Sequence, residues 1–402
     1  MIYSTISNKE NHTLVEISEF RLEKGISEYQ VMIHITNTTL PISDQLKSIF
    51  ASVEKLLSGE LSNTTTVFQR IFLSDAANQI ELLYDYLPVN KNNISVVEQP
   101  PLNGTKIAIW IYLFKGKGIT SQSTDNAYST CEKKSQESEN NDCYGLHVIQ
   151  HGKYNHIWKC SAKNNDGDSE KQARTLLNNY IAQIKSHNCT IESNCIRTWI
   201  FVQNVDANYQ GVVKARREIF AENGLTSNTH FIASTGIGGR HKDKETLVIL
   251  DYYSIEGIKK EQIRHLYAKT HLNPTYEYGV TFERGTCVHF GDRRHVFISG
   301  TASINNKGEI VHPGNIEMQA IRMIENVEAL LSEAECGFED VAQMIVYLRD
   351  TADFQVARNI IDKRFPLIPK IIVLAPVCRP GWLIEMECFA VKKDYDERFE
   401  PL

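Results

Sequence analysis

The chain lacks the marks of several protein classes. Its opening, MIYSTISNKENHTLVEI, has no basic start followed by an apolar run, and no window approaches the roughly 20 apolar residues that span a bilayer. With neither a leader nor an anchor in view, a cytoplasmic location without a membrane partner is expected. The nine cysteines are scattered, with no C-x-x-C pair and no Cys/His ligand pattern, which argues against structural zinc and a disulfide framework and leaves most of them reduced and buried. His230, His241, His289, His295 and His312 have no metal-ligand spacing. Positive charge is short as well: 43 Lys and Arg face 49 Asp and Glu, for a net charge of -6. Nothing therefore draws the chain to nucleic acid, and any anion site must be a local cluster of arginines. TGIGGRH lacks the glycine spacing and following helix of a nucleotide-binding fingerprint, so no phosphate loop is inferred. The Asn-x-Ser/Thr sites at Asn11, Asn103 and Asn188 carry no meaning without a secretion signal.

What is present suits a folded, water-soluble chain. At 402 residues, with 42% hydrophobic and 23% charged residues, two or three packed units are expected, each with its own apolar interior. One compositional break stands out: residues 120–141, TSQSTDNAYSTCEKKSQESENN, have almost no apolar anchor and read as a surface loop or linker.

A weak internal repeat is more informative. Three segments share one order of elements: an amphipathic helix, an apolar strand, a second helix, then two strands around a Pro- or Gly-rich kink. The first has QLKSIFASVEKLL, VFQRIFLSD, ANQIELLYDYL, ISVVEQP and KIAIWIYLF; the second has ARTLLNNYIAQIKSH, IRTWIFVQNVD, YQGVVKARREIFAEN, HFIASTGIG and TLVILDYYS. The third has MQAIRMIENVEALLSEA, VAQMIVYLRD, FQVARNIIDKRF, KIIVLAPVC and WLIEMECFAV. Three- and four-residue apolar spacing, as in Ile321, Ile324, Val327, Leu330 and Leu331, marks the helices, while short β-branched runs mark the strands. Each unit opens on a candidate hairpin, such as TCVHFGDRRHVFISGTASI. The fold class expected is α+β, in tandem units that each set a mixed sheet against two helices packed on one face.

HVFISGTASIN, GEIVHPGNIEMQ, GFEDVAQMIVYLRD and GWLIEMECFAV, in that order and spacing, resemble the RidA (YjgF) family over about Tyr276 to Lys392. RTWIFV at Arg197, the helix start from Tyr209 to Arg216, STGIGG at Ser234 to Gly239, PTYEYGVTFERGT and CRPGWLIEME resemble chorismatases, the RidA-fold branch acting on chorismate. Together these strings extend the resemblance over about Arg174 to Val391. The first unit is joined to the others by the repeat alone. The resulting division is a diverged unit at 1–118, the linker at 119–143, a second unit at 144–273, a third at 274–393 and a tail at 394–402. RidA proteins are trimers with sites between subunits, so the resemblance implies that three units in one chain imitate the trimer, as a monomer or a small homo-oligomer.

Chorismate, the small anionic substrate so implied, is a dianion carrying an enol ether. Cleavage begins with a proton delivered to the methylene carbon, for which a carboxylic acid is suited. Strand alternation places Glu385 and Glu387 on one face, about 7 Å apart, with Ile384, Met386 and Cys388 on the other. Paired carboxylates beside an apolar wall tend to retain a proton. Glu385 matches the RidA active-site glutamate, which implies the general-acid role for it and leaves Glu387 structural. Two carboxylates call for bidentate donors, and the resembling strings supply Arg197, Arg216, Arg284, Arg349 and Arg379, with Tyr209, Tyr278 and Tyr347 as hydroxyl donors. The Gly239 and Cys378 pair resembles chorismatases that form 3-hydroxybenzoate rather than a diene-diol, with Gly239 expected to open room beside the ring and Cys378 to join the ring chemistry as thiol or thiolate. No cofactor is implied. RidA imine deaminases hold the substrate carboxylate with an arginine about fifteen residues before the glutamate. That place is Lys370 here, which keeps the charge and loses the fork. The expectation is therefore a chorismatase-type lyase or hydrolase. Imine deamination, or small-molecule binding without catalysis, stands as the alternative on the same fold.

Overall fold

The structure, a computed structural model, describes residues 1–88, 91–123 and 145–402. Most of the polar stretch at 119–143 lies outside the described residues, with Cys131 and Cys143. The other seven cysteines are free thiols.

Three six-stranded mixed sheets follow one another along the chain. The first holds β1 (Ile2–Asn8), β2 (Thr13–Phe20), β3 (Ser27–Ile35), β4 (Thr65–Leu73), β5 (Ile94–Glu98) and β6 (Ile107–Lys115), with helices α1 (Ile42–Ser58) and α2 (Ala76–Tyr84). The second holds β7 (Thr120–Ser123), β8 (His147–His151), β9 (Tyr154–Asn164), β10 (Cys195–Val202), β11 (Ala233–Gly238) and β12 (Val248–Glu256), with α3 (Ser169–Lys185), the single turn α4 (Ile191–Asn194) and α5 (Val205–Glu222). The third holds β13 (Ile263–Leu266), β14 (Gly285–His289), β15 (Arg293–Ala302), β16 (Val341–Leu348), β17 (Lys370–Leu374) and β18 (Ile384–Lys393), with α6 (Ile316–Glu333) and α7 (Phe354–Arg364).

The connections explain the pairing. Hairpins join neighbouring antiparallel strands, whereas β16 returns through α7 to lie parallel to β17, as β4 does to β5 and β10 to β11. The last strand of each unit then fills the centre of its sheet, as β18 does between β15 and β16.

Two unit edges differ from the expected ones. Thr120–Ser123, placed in the linker by its polarity, pairs with β8, and Ile263–Leu266, before the expected start of the third unit, pairs with β14. Both are edge strands. Thr120–Ser123 is exposed along its whole length, so it carries none of the burial alternation that marks a strand in sequence. In α6, capped by Asn315 onto the Met318 N–H, the buried stripe runs through Ala320, Met323, Val327 and Leu330. Ile321, expected on that stripe, is 39% exposed.

Helices cover one face of each sheet, and the other faces meet in a common interior rich in aromatic rings, among them Phe68, Trp110, Trp158, Trp199 and Phe389. Buried ion pairs run head to tail around this junction. Arg70 of the first unit pairs with Asp251 of the second at 2.9 Å, Arg197 of the second with Glu387 of the third at 2.8 Å, and Arg293 of the third with Glu28 of the first at 2.6 Å. Each unit gives an arginine forward and a carboxylate back, which is the directionality of a rotationally closed trimer.

Candidate active site

Glu385 and Glu387 both project from the inter-unit face of β18, and both are buried although neither belongs to the apolar pattern of the strand. Their surroundings separate their roles. Glu387 accepts from Arg197 Nη2 at 2.8 Å, Trp199 Nε1 at 2.8 Å and Thr235 Oγ1 at 2.5 Å, all from the second unit. Glu385 lies at the floor of a cleft of about 370 Å³ between the second and third units. Burial, and then the charge of Glu387, push its carboxyl up to about 8, against the opposing pull of Arg197 and Arg284. It is a carboxylic acid at neutral pH. Gly300 on β15 makes the space it occupies: a Cβ there would stand 2.0 Å from Glu385 Oε1.

The walls are cationic. Arg216, Arg217, Arg284 and Arg379 line the cleft, and among the described lining residues Glu385 is the one acidic side chain. Tyr209 and Arg216 are seven residues apart on α5, two turns, so both face the cleft. Arg216 is 1% exposed. Its Nε donates to Thr281 Oγ1 at 3.2 Å and its Nη1 to Ser234 Oγ at 3.5 Å, while Nη2 has no partner among the described residues. A buried guanidinium without a carboxylate is costly unless an anion completes it. Arg284 is held by donating to the Asn273 carbonyl at 3.1 Å, and Arg379 lies over the Trp382 ring. Tyr209 hydrogen-bonds Cys378, whose thiol burial pushes up to about 12, with Glu385 adding to the rise. Cys378 is thus a thiol in the cleft, not a thiolate.

Of the residues singled out in sequence, the fold brings together Glu385, Cys378, Tyr209, Arg216, Arg284 and Arg379. The others lie elsewhere. Arg197 is beneath the cleft, consumed by Glu387 and Thr235. Tyr347 pairs with Glu385 across β16 and β18, but its hydroxyl is sealed in the interior with no partner among the described residues. Arg349 donates to the Val377 carbonyl and pairs with Asp206 outside the cleft. Gly239 does not open room beside a ring: a Cβ there would meet Phe201 and Val97, at the boundary with the first unit. The glycine of the STGIGG string that lines the cleft is Gly236, where a Cβ would stand 2.7 Å from the Tyr209 ring. Tyr278 ends a 3-10 turn, Thr275–Tyr278, and its side chain is outside the described residues.

Lys370 was expected to share a site with Glu385, and it does not. It lines a second cleft of about 360 Å³ between the first and third units. There its ammonium is hydrogen-bonded to the Phe365 carbonyl at 3.0 Å and lies 3.7 Å from Glu16 and 3.6 Å from Asp362. Register identifies the residue that takes its place at the Glu385 cleft. Lys370 pairs with Met344, three residues before Tyr347; Ser234 pairs with Thr198, three before Phe201, and Ser234 lines the cleft. The second cleft is neutralised internally, with Arg358 also paired to Asp362. Gly300, Gly236 and Thr235 lie inside the resembling strings, and Ser234 only begins one, so none of the four carries a mark of its own in sequence.

A sequence model of the family described as Endoribonuclease L-PSP matches residues 287–392. A RutC family protein of Saccharolobus solfataricus is 37% identical over 99 residues, which are 24% of this chain and 79% of that relative. The 3-aminoacrylate deaminase RutC of Acinetobacter baylyi is 27% identical over 97 residues, 24% of this chain and 77% of that relative. A solved chorismatase structure superposes over 81% of this chain and 93% of its own with a TM-score of 0.61 at 15% identity, a likeness of fold across all three units.

Proposed function

The chain belongs to the Endoribonuclease L-PSP (RidA/YjgF, RutC) family, and from that premise we propose that the Glu385 cleft cleaves the enolpyruvyl ether of chorismate, releasing pyruvate. One observation carries the reading: a buried carboxylic acid at the floor of a cleft whose Arg216 has no counter-ion among the described residues. Such a site needs an anionic substrate and offers it a proton.

Glu385 donates its proton to the methylene carbon, and the vinyl π electrons form the new C–H bond. The charge left on the adjacent carbon is shared with the ether oxygen as an oxocarbenium ion. Capture by water gives a hemiketal that collapses with the ether bond breaking to the ring oxygen, which leaves a diene-diol. Capture by the neighbouring ring hydroxyl gives a cyclic ketal whose breakdown cleaves the ether bond and also the bond from the ring carbon to the captured oxygen, so that this oxygen leaves as the ketone oxygen of pyruvate and the ring loses a C–H proton to become 3-hydroxybenzoate. Pyruvate leaves, and the proton released returns to Glu385. Arg216, Arg284 and Arg379 hold the two carboxylates and keep the ring over the acid. The preference for 3-hydroxybenzoate rests on Cys378 alone, since Gly239 lies outside the cleft.

The test is pyruvate release from chorismate, followed by coupled reduction to lactate. Glu385→Gln is expected to lose about 10²- to 10⁴-fold in kcat. Absence of pyruvate with the unmodified protein, or an unimpaired variant, rejects the reading. A diene-diol in place of an aromatic product keeps the reaction and rejects the role of Cys378.

Deamination of an imine is the second reading, favoured by the likeness of the third unit to a 3-aminoacrylate deaminase. Against it stands Ser234, a neutral side chain in the place from which a deaminase clamps its carboxylate. Ammonia release from an amino-acid-derived enamine, without pyruvate from chorismate, decides for it.

A further inference from the structure

A cleft that binds a dianion and also donates a proton faces a conflict. The guanidinium groups that attract the substrate favour the ionised form of the acid, and so strip it of the proton it must deliver. The groups facing Glu385 make the conflict concrete. Arg216, Arg217 and Tyr209 come from α5, Arg284 from the residue before β14, and Arg379 and Cys378 from the turn before β18. Arg197 faces it from β10 and Tyr347 from β16. Five of these are cations. The one anion among them is Glu387, two residues further along β18.

We propose that Glu387 and Thr235 are positioning residues for Glu385: Glu387 keeps the acid protonated within a cationic cleft, and Thr235 fixes the strand against which the acid rests. The inference builds on the reading of Glu385 as proton donor.

Glu387 is 2% exposed and cannot move away or be screened by water. Its three donors, Arg197, Trp199 and Thr235, hold its charge in place on the same strand face as Glu385, about 7 Å away at strand rise. At that separation in a dry interior, one negative charge opposes ionisation of the next. Arg197 therefore acts as the counter-ion that lets Glu387 be charged there, not as a substrate ligand.

Thr235 makes the second connection. Its hydroxyl donates to Glu387 Oε2 at 2.5 Å and accepts from Arg197 Nη2 at 2.5 Å and from the Gly300 N–H at 2.9 Å. Gly300 is the residue whose missing Cβ leaves room for the Glu385 carboxyl. One hydroxyl from the second unit thus fixes both the charge behind the acid and the backbone beside it.

The experiment titrates Glu385 directly. Its protonated carboxyl stretch is isolated by infrared difference against Glu385→Gln, which needs no turnover, and the pH dependence of pyruvate release is measured in parallel. Glu387→Gln is expected to lower the titration midpoint by about one unit or more and to move the alkaline fall in kcat by the same amount. Thr235→Val is expected to lower kcat roughly tenfold with KM little changed, and Thr235→Ser to restore it. A folded Glu387→Gln protein in which Glu385 titrates as before overturns the role of Glu387. A Thr235→Val protein with undiminished kcat overturns that of Thr235. Should Glu387→Gln fail to fold, the Thr235 pair decides the positioning role of Thr235, and the double variant Glu387→Gln/Arg197→Gln is titrated against Arg197→Gln, because Glu387 and Arg197 act on Glu385 in opposite directions; a midpoint equal to that of Arg197→Gln also overturns the role of Glu387. If no variant, nor the unmodified protein, releases pyruvate while the infrared midpoints shift as expected, the chorismate reading falls and the positioning stands.

Discussion

Glu385 and Glu387 show how far chemistry at one residue depends on what covers it. Both are glutamates on one face of one strand, yet three donors bind the Glu387 side chain while Glu385, without a hydrogen bond among the described residues, is raised to about 8 by burial and by its neighbour. A carboxyl raised from 4.5 keeps a proton in the folded state that the unfolded chain has already lost. Stability from this group is therefore full below about pH 4.5 and declines as pH rises through 8. Glu283, raised to about 7 by burial, slopes the same way. Urea midpoints measured at about pH 6 and pH 9 are expected to fall with rising pH, and to fall less in Glu385→Gln. An equal fall in both proteins would show that Glu385 is ionised in the folded state.

At the scale of elements, the cleft exists because β15 and β18 lie side by side with a glycine opposite the acid. Ala302 pairs with Glu385, and the register shifts between Ile298 and Thr301, which re-aims the backbone around Gly300. Gly300→Ala would drive a methyl group into the Glu385 carboxyl. A loss of about 10²-fold in kcat is expected from displacing the acid by about an ångström, with an unchanged far-UV circular dichroism spectrum. Undiminished kcat would mean that the carboxyl need not occupy that space. The elements themselves were legible in sequence where apolar spacing is strong, as in α6 and β18. They were not where a strand is short and at an edge, as in Thr120–Ser123, because an unburied strand imposes no pattern on its residues.

For the whole molecule, the ring of buried pairs Arg70–Asp251, Arg197–Glu387 and Arg293–Glu28 closes three units on one another within the chain. The symmetry is broken in the clefts. The Glu385 cleft has arginines and a neutral acid, whereas its counterpart between the first and third units has Glu16 and Asp362 matched to Lys370 and Arg358. A small dianion such as chorismate is therefore expected to bind once per chain, and a chain with its inter-unit faces already covered is expected to sediment as a monomer. Calorimetric titration of Glu385→Gln with chorismate, alongside sedimentation, checks both. Two or more equivalent sites would show that the second cleft also accepts a dianion.

The sequence by itself determined the repeated order of helices and strands, the two-helix mixed-sheet units and the carriers of the chemistry, because apolar spacing and residue type act over a few neighbouring residues. The tertiary structure decided which carriers meet. Arg197 and Glu387 are 190 residues apart in the chain and in contact in the fold; Gly239 and Gly236 are three apart and lie on different sides of their unit; Lys370 and Glu385 share a unit and open into different clefts. Local pattern says which face of a strand a side chain takes, but not which neighbouring unit will cover that face. That depends on packing between units far apart in sequence, and it divided the arginines between the cleft and the core.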